Sequence, residues 1–450
     1  MFNFLKPNPP KKNKIPEDKI KDLYQKKRIS VFISIYIGYA AYYIIRNNFT
    51  ISEPYLIKYY GFDKATIGLI LSCFAISYGI SKLLMGILAD KANSRYYIAI
   101  GLIISSILNF CFGLTNNKYI MMLLITLIGI TQGMGAPAAH KTLSVWFSKH
   151  EHGLYVSLWD TSHNIGSGLI PLFVTLSITL FGLKNWRSIF FFPSIISIIL
   201  AIIVILLGSD IPESVGLPPI EEYHKESNKI ITANNDIPIM KIIKESILKR
   251  PYMWILAIAN ASMYIILYGI EDWIPIYLNT VKSFTYSGAR DCFALFEFAA
   301  IPGTILIGSI SDKIFHEKRS FLSVILVTLL GITFTGYYLS ASHDFIVFTM
   351  IAMGILVYSP KILIMLLAVD LTPKFAIGSI DGFLGLFGYF FGDVIASYFI
   401  GILINKGEWH ITYLIIISSV IVALICFIIL NKAENSINKQ LNTIYNSLDI

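Results

Sequence analysis

Ser188–Gly208 reads SIFFFPSIISIILAIIVILLG, a run with no charged side chain. It has the length of the ~20 apolar residues that an α-helix needs to cross the hydrocarbon core of a bilayer. It is too long for a strand, and in lipid a helix satisfies its own backbone polar groups. Similar runs lie at about 29–58, 65–89, 96–114, 119–146 and 154–182 before it. After it come about 252–280, 289–311, 320–342, 345–371, 376–404 and 410–431. At about 150 residues per domain, length alone suggests three soluble domains. Composition overrules that: 55% of residues are hydrophobic and 14% charged, whereas soluble domains carry about 25% charged residues. An all-α membrane protein with twelve transmembrane helices is expected.

The net charge of +8 is no sign of nucleic-acid binding, because the basic residues are distributed by topology. Nine precede the first span, and others fall at Lys91/Arg95, Lys149, Lys313/Lys318/Arg319, Lys374 and Lys432/Lys439. The segment 209–251 adds Lys225, Lys229, Lys241, Lys244, Lys249 and Arg250, while the opposite loops carry one or two each, such as Lys118 and Lys406. Alternating spans put the rich set on one side, so both termini and the central loop are expected in the cytoplasm. Lys6 to Arg28 is too basic, Pro-rich and long for a cleavable signal. Cys73, Cys111, Cys292 and Cys426 stand singly in apolar runs and read as small buried hydrophobes.

Five parts are expected: a tail 1–28, a six-helix half 29–208, a polar central loop 209–251, a second half 252–431 and a tail 432–450. The halves share landmarks. Gly86-x-x-x-Asp90-Lys91 recurs as Gly308-x-x-x-Asp312-Lys313, Trp186-Arg187 is echoed by Trp409-His410, and Pro137 by Pro360, all at nearly one offset. Parallel, pseudo-symmetric six-helix halves around a midplane site describe the major facilitator fold. The Asp-Lys turns read either as capped cytoplasmic turns or as a latch on neighbouring helix ends.

Ionisable groups at the membrane centre cost about 2.5–3.5 kcal/mol on insertion scales, so each calls for a partner or a task. Tyr39, Tyr43 and Arg46 share one face of the first span, and Tyr78 and Lys82 one face of the second. His163 lies in the fifth span, one turn after Asp160, close enough to pair with it when protonated. A lone buried histidine is usually a satisfied core residue. Here cationic groups interleaved with tyrosine hydroxyls on three spans point to an anion-attracting cavity. There is no GxxxxGK[ST], HExxH or GxSxG motif, and no cofactor, metal or enzymatic activity is expected. Gly388-x-x-x-Gly392 reads as helix packing.

Several stretches together resemble the organophosphate:phosphate antiporters. They are Tyr39-Ala40-Ala41-Tyr42-Tyr43-Ile44-Ile45-Arg46, Gln132-Gly133-Met134-Gly135, Ser162-His163-Asn164 and Gly216-Leu217-Pro218-Pro219-Ile220-Glu221-Glu222-Tyr223. Ile301-Pro302-Gly303-Thr304 and Leu386-Phe387-Gly388-Tyr389 complete the set, and the resemblance runs nearly end to end from Phe4-Leu5-Lys6-Pro7. It implies a twelve-helix transporter that exchanges inorganic phosphate for an external organophosphate, glycerol 3-phosphate first, by rocking its halves. It implies that Arg46 grips phosphate, that His163 affects binding through its protonation, and that Lys82, Tyr39, Tyr43 and Tyr78 line the cavity. Tyr264, Tyr358 and Tyr389 match aromatic positions of the second half.

One departure bears on substrate. The family carries a second arginine in a Tyr-x-x-Arg-Tyr-Gly pattern in span seven, where this chain reads Tyr264-Ile265-Ile266-Leu267-Tyr268-Gly269. Asp160, Glu271, Asp381 and Asp393 stand where the resemblance leads one to expect uncharged residues. Lys361, one turn beyond Tyr358, either replaces the missing cation or neutralises Asp381 or Asp393. The expected function is import of glycerol 3-phosphate against phosphate by a monomer in a bacterial cytoplasmic membrane. Alternatives are a hexose phosphate transporter, a transporter-like organophosphate sensor, and a proton symporter of an uncharged solute.

Overall fold

The computed structural model describes residues 5–6, 8–11, 15–90, 92–182, 187–224, 244, 248–313, 318–370 and 377–447. Among these, regular structure is helical throughout. Helix α1 (Glu17–Arg46) opens on Pro16 with Glu17 and Asp18 in its first turn and closes on Arg46, charges that suit the two ends of the helix dipole. It stops at Asn47, and α2 (Asn48–Tyr60) continues the expected first span. Then come α3 (Lys64–Asp90), α4 (Ser94–Leu114), α5 (Lys118–Gln132), α6 (Gly135–Trp146), α7 (Lys149–Phe181) and α8 (Ser188–Leu207). The Asn117 side chain caps α5 by accepting from the Tyr119 and Ile120 amides, satisfying donors that the first turn leaves open.

A short α9 (Ile220–Tyr223) precedes α10 (Pro251–Glu271), α11 (Ile274–Thr280), α12 (Tyr286–Lys313), α13 (Arg319–Leu339) and α14 (His343–Asp370). The expected eleventh span is α15 (Ile377–Phe387), two π-helical pieces at Gly388–Asp393 and Ile395–Phe399, and α16 (Ile400–Asn405). Helix α17 (Trp409–Ser447) is last. Among the described residues, eleven helical segments are long and apolar enough to cross a membrane. The remaining expected span, 289–311, forms as α12 at full length but carries Arg290, Asp291 and Glu297, which lower its apolarity.

By contacts the chain divides into two compact units: residues 1–52 with 80–230, and residues 53–79 with 231–450. In the first, α1 packs on α7 and α8, and α4 on α8 and α5. Gly166 sets the approach of α7 to α1, because a Cβ there would lie 2.2 Å from the Ala40 carbonyl oxygen. Close helix contact in membranes depends on such small residues. Gly166→Ala is therefore expected to force α7 off α1, destabilising the unit by about 1–3 kcal/mol as over-packing does. A lowered melting temperature in detergent checks this, and an unchanged one counts against it.

Part of the segment read as a linker is built into this unit. Trp146 Nε1 donates to the Asp210 carbonyl at 3.0 Å, and the Asp210 carboxylate accepts from the Asn8 and Ser94 amides at 3.1 and 3.2 Å. Gly216, at φ 87°, makes the turn that lets Pro218 accept from Tyr24 Oη and Tyr223 stack on the Tyr24 ring at 4.3 Å. The left-handed φ is what a glycine adopts at no steric cost.

At the same end, Arg28 donates to Glu151 at 2.5 Å and lies 4.6 Å from the Phe147 ring, while His224 Nε2 stands 3.9 Å from Glu151. Burial raises the Glu151 carboxyl, but the hydrogen bonds of Arg28 and Ser148 with the charges of Arg28 and His224 outweigh it, holding the group below its ordinary value. A lowered folded value contributes stability that is complete above the unfolded value and lost as pH falls through the folded one. Thermal midpoints measured from neutral pH down through the carboxylate range should fall less steeply for Glu151→Gln than for the parent. With a third of the Glu151 side chain exposed, salt should shrink the difference.

In the second unit α12 packs on α14, α13 on α14 and α17, and α10 on α17 and on the first π-helical piece. A Cβ at Gly392 would lie 2.4 Å from Tyr264 Cβ, and one at Gly388 2.9 Å from Asn260 Nδ2. The Gly388/Gly392 pair is thus a packing face against α10. Among the sequence landmarks, Trp186, Lys91, Lys374, Lys225, Lys229 and Lys241 lie outside the described residues, as do the side chains of Asp90, Asp312, Lys313 and Lys439. In the first turn, Lys141 Nζ donates to the carbonyls of Ala89 and Ala92 at 3.2 and 2.7 Å, capping the end of α3.

Candidate functional site

Each unit holds one cluster of the expected site residues. In the first, the 3.6-residue period of α1 brings Tyr39, Tyr43 and Arg46 to one face. The Tyr39 and Tyr43 rings meet edge-on at 5.4 Å, and Arg46, only 8% exposed, lies 5.2 Å from the Tyr43 ring with Nη1 3.5 Å from its hydroxyl. Helix α7 supplies Trp159, 4.5 Å from Tyr39, and His163, 5.2 Å from Tyr43. Gly166, one turn further, is what allows the two helices to share this face.

His163 Nδ1 lies against the backbone carbonyl of Asp160 and 3.8 Å from its carboxylate. A ring nitrogen donating to a carbonyl keeps its proton there, so Nε2 is where charge is gained or lost. The arrangement is a buried guanidinium, an imidazole and two phenols on facing helices, donors suited to the oxygens of a phosphate.

The second cluster lies in the other unit. Tyr389 meets Tyr264 edge-on at 5.0 Å and Tyr78 at 4.7 Å. Lys361 Nζ sits 5.2 Å above the Tyr264 ring and 5.7 Å from that of Tyr358. The Tyr358 hydroxyl reaches Glu297 at 3.0 Å and Glu271 at 3.4 Å. Leu267 is buried at 2% exposure, one turn from Tyr264 on α10. A half-buried ammonium among aromatic faces holds charge by cation–π attraction.

Tyr78 and Lys82 share a face of α3, yet Tyr78 packs on Tyr389 in the second unit while half-buried Lys82 groups with the first. Asp160, Glu271 and Asp393 were legible as intramembrane acids. Glu53, Asp272 and Glu297 belong with them, and Trp159 and Tyr268 with the aromatic lining. A carboxylate inside an apolar run was the available signal for the three acids. Nothing in spacing marks the two aromatics, because apolar spans are full of them.

Long apolar helices with charge-bearing clusters buried in each unit suit a membrane transporter, and by family the chain is a transporter and not an enzyme. The profile of the Major Facilitator Superfamily matches residues 35–397, and the chain belongs to that family, grouping within it with the organophosphate:phosphate antiporters. It is 38% identical over 433 residues to the glycerol-3-phosphate transporter of Bacillus subtilis, covering 94% of this chain and 97% of that one. A probable hexose phosphate transport protein of Chlamydia trachomatis is 35% identical over 442 residues, with 94% and 95% covered. A crystal structure of a bacterial homologue of the human lysosomal transporter Spinster, inward-facing and unoccupied, matches at TM-score 0.71 and 16% identity over 93% of this chain and 98% of that one. At that identity the likeness concerns the fold.

Proposed function

We propose that the protein imports glycerol 3-phosphate across a bacterial cytoplasmic membrane in exchange for inorganic phosphate. The observation that carries this reading is the buried Arg46–Tyr43–Tyr39–His163 cluster. A phosphate monoester has close to two negative charges at neutral pH, and Arg46, Lys82, Lys361 and a protonated His163 are the cations available to offset them. Tyr39, Tyr43, Tyr78, Tyr264, Tyr358 and Tyr389 supply hydroxyls and ring faces. The halves 29–208 and 252–431 alternate access as a monomer, with the tails and the loop 209–251 in the cytoplasm by the positive-inside rule.

Exchange follows from charge: an empty site of buried cations resists crossing, and an occupied one moves. Proteoliposomes loaded with phosphate should take up labelled glycerol 3-phosphate, and empty ones should not. Equal uptake into both would remove the exchange. In a second reading a hexose phosphate is the better substrate, because Leu267 stands where the resemblance implies an arginine and so bears on which ester is preferred. The relative in Chlamydia trachomatis supports that reading too. A competition panel of phosphate esters ranks the two.

A further inference from the structure

We propose that an aromatic recess of the second unit, walled by α10, α11, α13 and α17, binds one phospholipid of the outer leaflet by its glycerol and phosphate region. The site does not rest on the substrate reading above.

The recess holds about 350 Å³ of open space, and Trp273, Tyr277, Tyr337, Tyr338, Trp409 and Tyr413 are among its lining. Helical period builds two of its walls. Phe334, Tyr337 and Tyr338 share a face of the last turns of α13, and Trp409, Thr412 and Tyr413 a face of the first turns of α17. The rings meet in turn: Tyr337 and Tyr277 at 5.2 Å, Tyr277 and Trp409 at 4.9 Å, and Tyr338 stacked on Tyr413 at 4.3 Å.

Two hydroxyls point to a ligand. Of the four tyrosines that line the recess, Tyr413 meets Thr335 Oγ1 at 3.2 Å and Tyr338 meets His410 Nδ1 at 3.5 Å. Tyr277 and Tyr337 are only 6% and 5% exposed, and neither hydroxyl has a hydrogen-bond partner among the described residues. Buried phenols ordinarily find one. Acceptor oxygens held in the recess would supply what the protein does not.

Charge selects the kind of ligand. A cage of ring faces alone suits a quaternary ammonium. Here two ammonium groups already stand beside it: Lys64 Nζ lies 5.4 Å from the Trp409 ring and Lys282 Nζ 5.6 Å from that of Tyr277. Lys282 gives two hydrogens to the carbonyls of Tyr338 and Ser340, at 2.7 and 2.6 Å, and an ammonium has a third. The acids next in sequence, Asp63 and Glu408, are exposed, and Asp63 accepts from the Thr66 amide at 2.9 Å and from Asn405 at 3.4 Å. The recess therefore favours an anion that brings ester oxygens and an apolar body.

Position names the source. The walls are ends of membrane spans, where α13 finishes at Leu339 and α17 starts at Trp409. Trp and Tyr gather at this level, between lipid chains and headgroups, and the positive-inside rule turns this end away from the cytoplasm. Ile332 and Leu339 on α13 are 65% and 73% exposed, and Ile411 and Leu414 on α17 are 40% and 49% exposed. Acyl chains lie along those faces while the recess takes the glycerol and phosphate. Basic pockets between spans are known to hold lipid headgroups in this way.

The test uses the purified full chain in detergent, probed by native mass spectrometry with added phosphatidylglycerol. The parent should retain one lipid. Diacylglycerol, which has the same chains and esters without the phosphate, should not replace it, and neither glycerol 3-phosphate nor inorganic phosphate should displace it. Tyr277→Phe combined with Tyr337→Phe keeps every ring and should weaken retention about tenfold. Lys64→Gln, which leaves both phenols in place, should weaken it about fivefold. A photoreactive phosphatidylglycerol should label the peptides of 334–339 and 409–416. Equal retention by the parent and both variants, or label confined to other spans, overturns the site. Displacement by glycerol 3-phosphate overturns the lipid assignment in favour of a soluble phosphate. Since no transport is measured, failure of the substrate reading leaves this result untouched.

Discussion

Arg46→Lys should weaken organophosphate and phosphate binding about ten- to a hundredfold while the protein stays folded. Arg46 is 8% exposed, at the last turn of α1, where the helix dipole favours a cation, and its guanidinium lies 5.2 Å from the Tyr43 ring. Lysine keeps the charge and the dipole interaction, so the fold has little reason to change. What is lost is the planar fork that meets two phosphate oxygens at once. A hydrogen bond to a charged group is worth about 1.5–3 kcal/mol, and each 1.4 kcal/mol is about tenfold in affinity. Binding competition with phosphate and the KM for uptake would read the change. Wild-type affinity in a folded Arg46→Lys protein would mean that phosphate is gripped elsewhere.

Lys361→Met should abolish phosphate competition, and adding Leu267→Arg in that background should partly restore it. The geometry makes the exchange of positions reasonable. Lys361 Nζ lies above the Tyr264 ring, and Leu267 follows Tyr264 by one turn of α10, so both border one aromatic patch in the second unit. Methionine keeps the stem of the lysine and removes only its charge. An ammonium binds phosphate as a point charge rather than a fork, so the parent should discriminate among phosphate esters less sharply than the double variant that carries Leu267→Arg. Normal phosphate binding by folded Lys361→Met would leave Lys361 as a counter-ion of the buried acids.

The local members of each cluster are legible in the order of residues along the chain. Tyr39, Tyr43 and Arg46 lie within two turns of one helix, and Tyr358 and Lys361 within one, so helical period alone places them on common faces. The partners they meet come from distant spans: Trp159 and His163 against α1, Tyr78 and Tyr264 against Tyr389. Those pairings depend on Gly166, Gly388 and Gly392, whose missing side chains set how near two backbones come. In sequence the Gly388-x-x-x-Gly392 spacing announces a packing face but not the helix it meets, and nothing marks Gly166 among the other glycines of the spans.

Residues 209–224 show the same divide from the polar side. Their charge and proline content read as a linker, but their hydrogen bonds go to Trp146, Ser94, Asn8 and Tyr24, which no local pattern announces.

The sequence by itself determined the helical membrane class, the number of spans and the presence of Leu267 where the resemblance implies an arginine. Each of these follows from composition, length or a single position, quantities that do not depend on how the chain folds back on itself. Only the tertiary structure decided that Tyr78 packs with Tyr389, that Glu297 takes the Tyr358 hydroxyl, and that Asp272 and Asp393 meet over Ser397. Those two aspartates are separated by more than a hundred positions. Whether two buried acids meet over one hydroxyl depends on distances of a few ångströms, which side-chain packing sets and spacing along the chain does not.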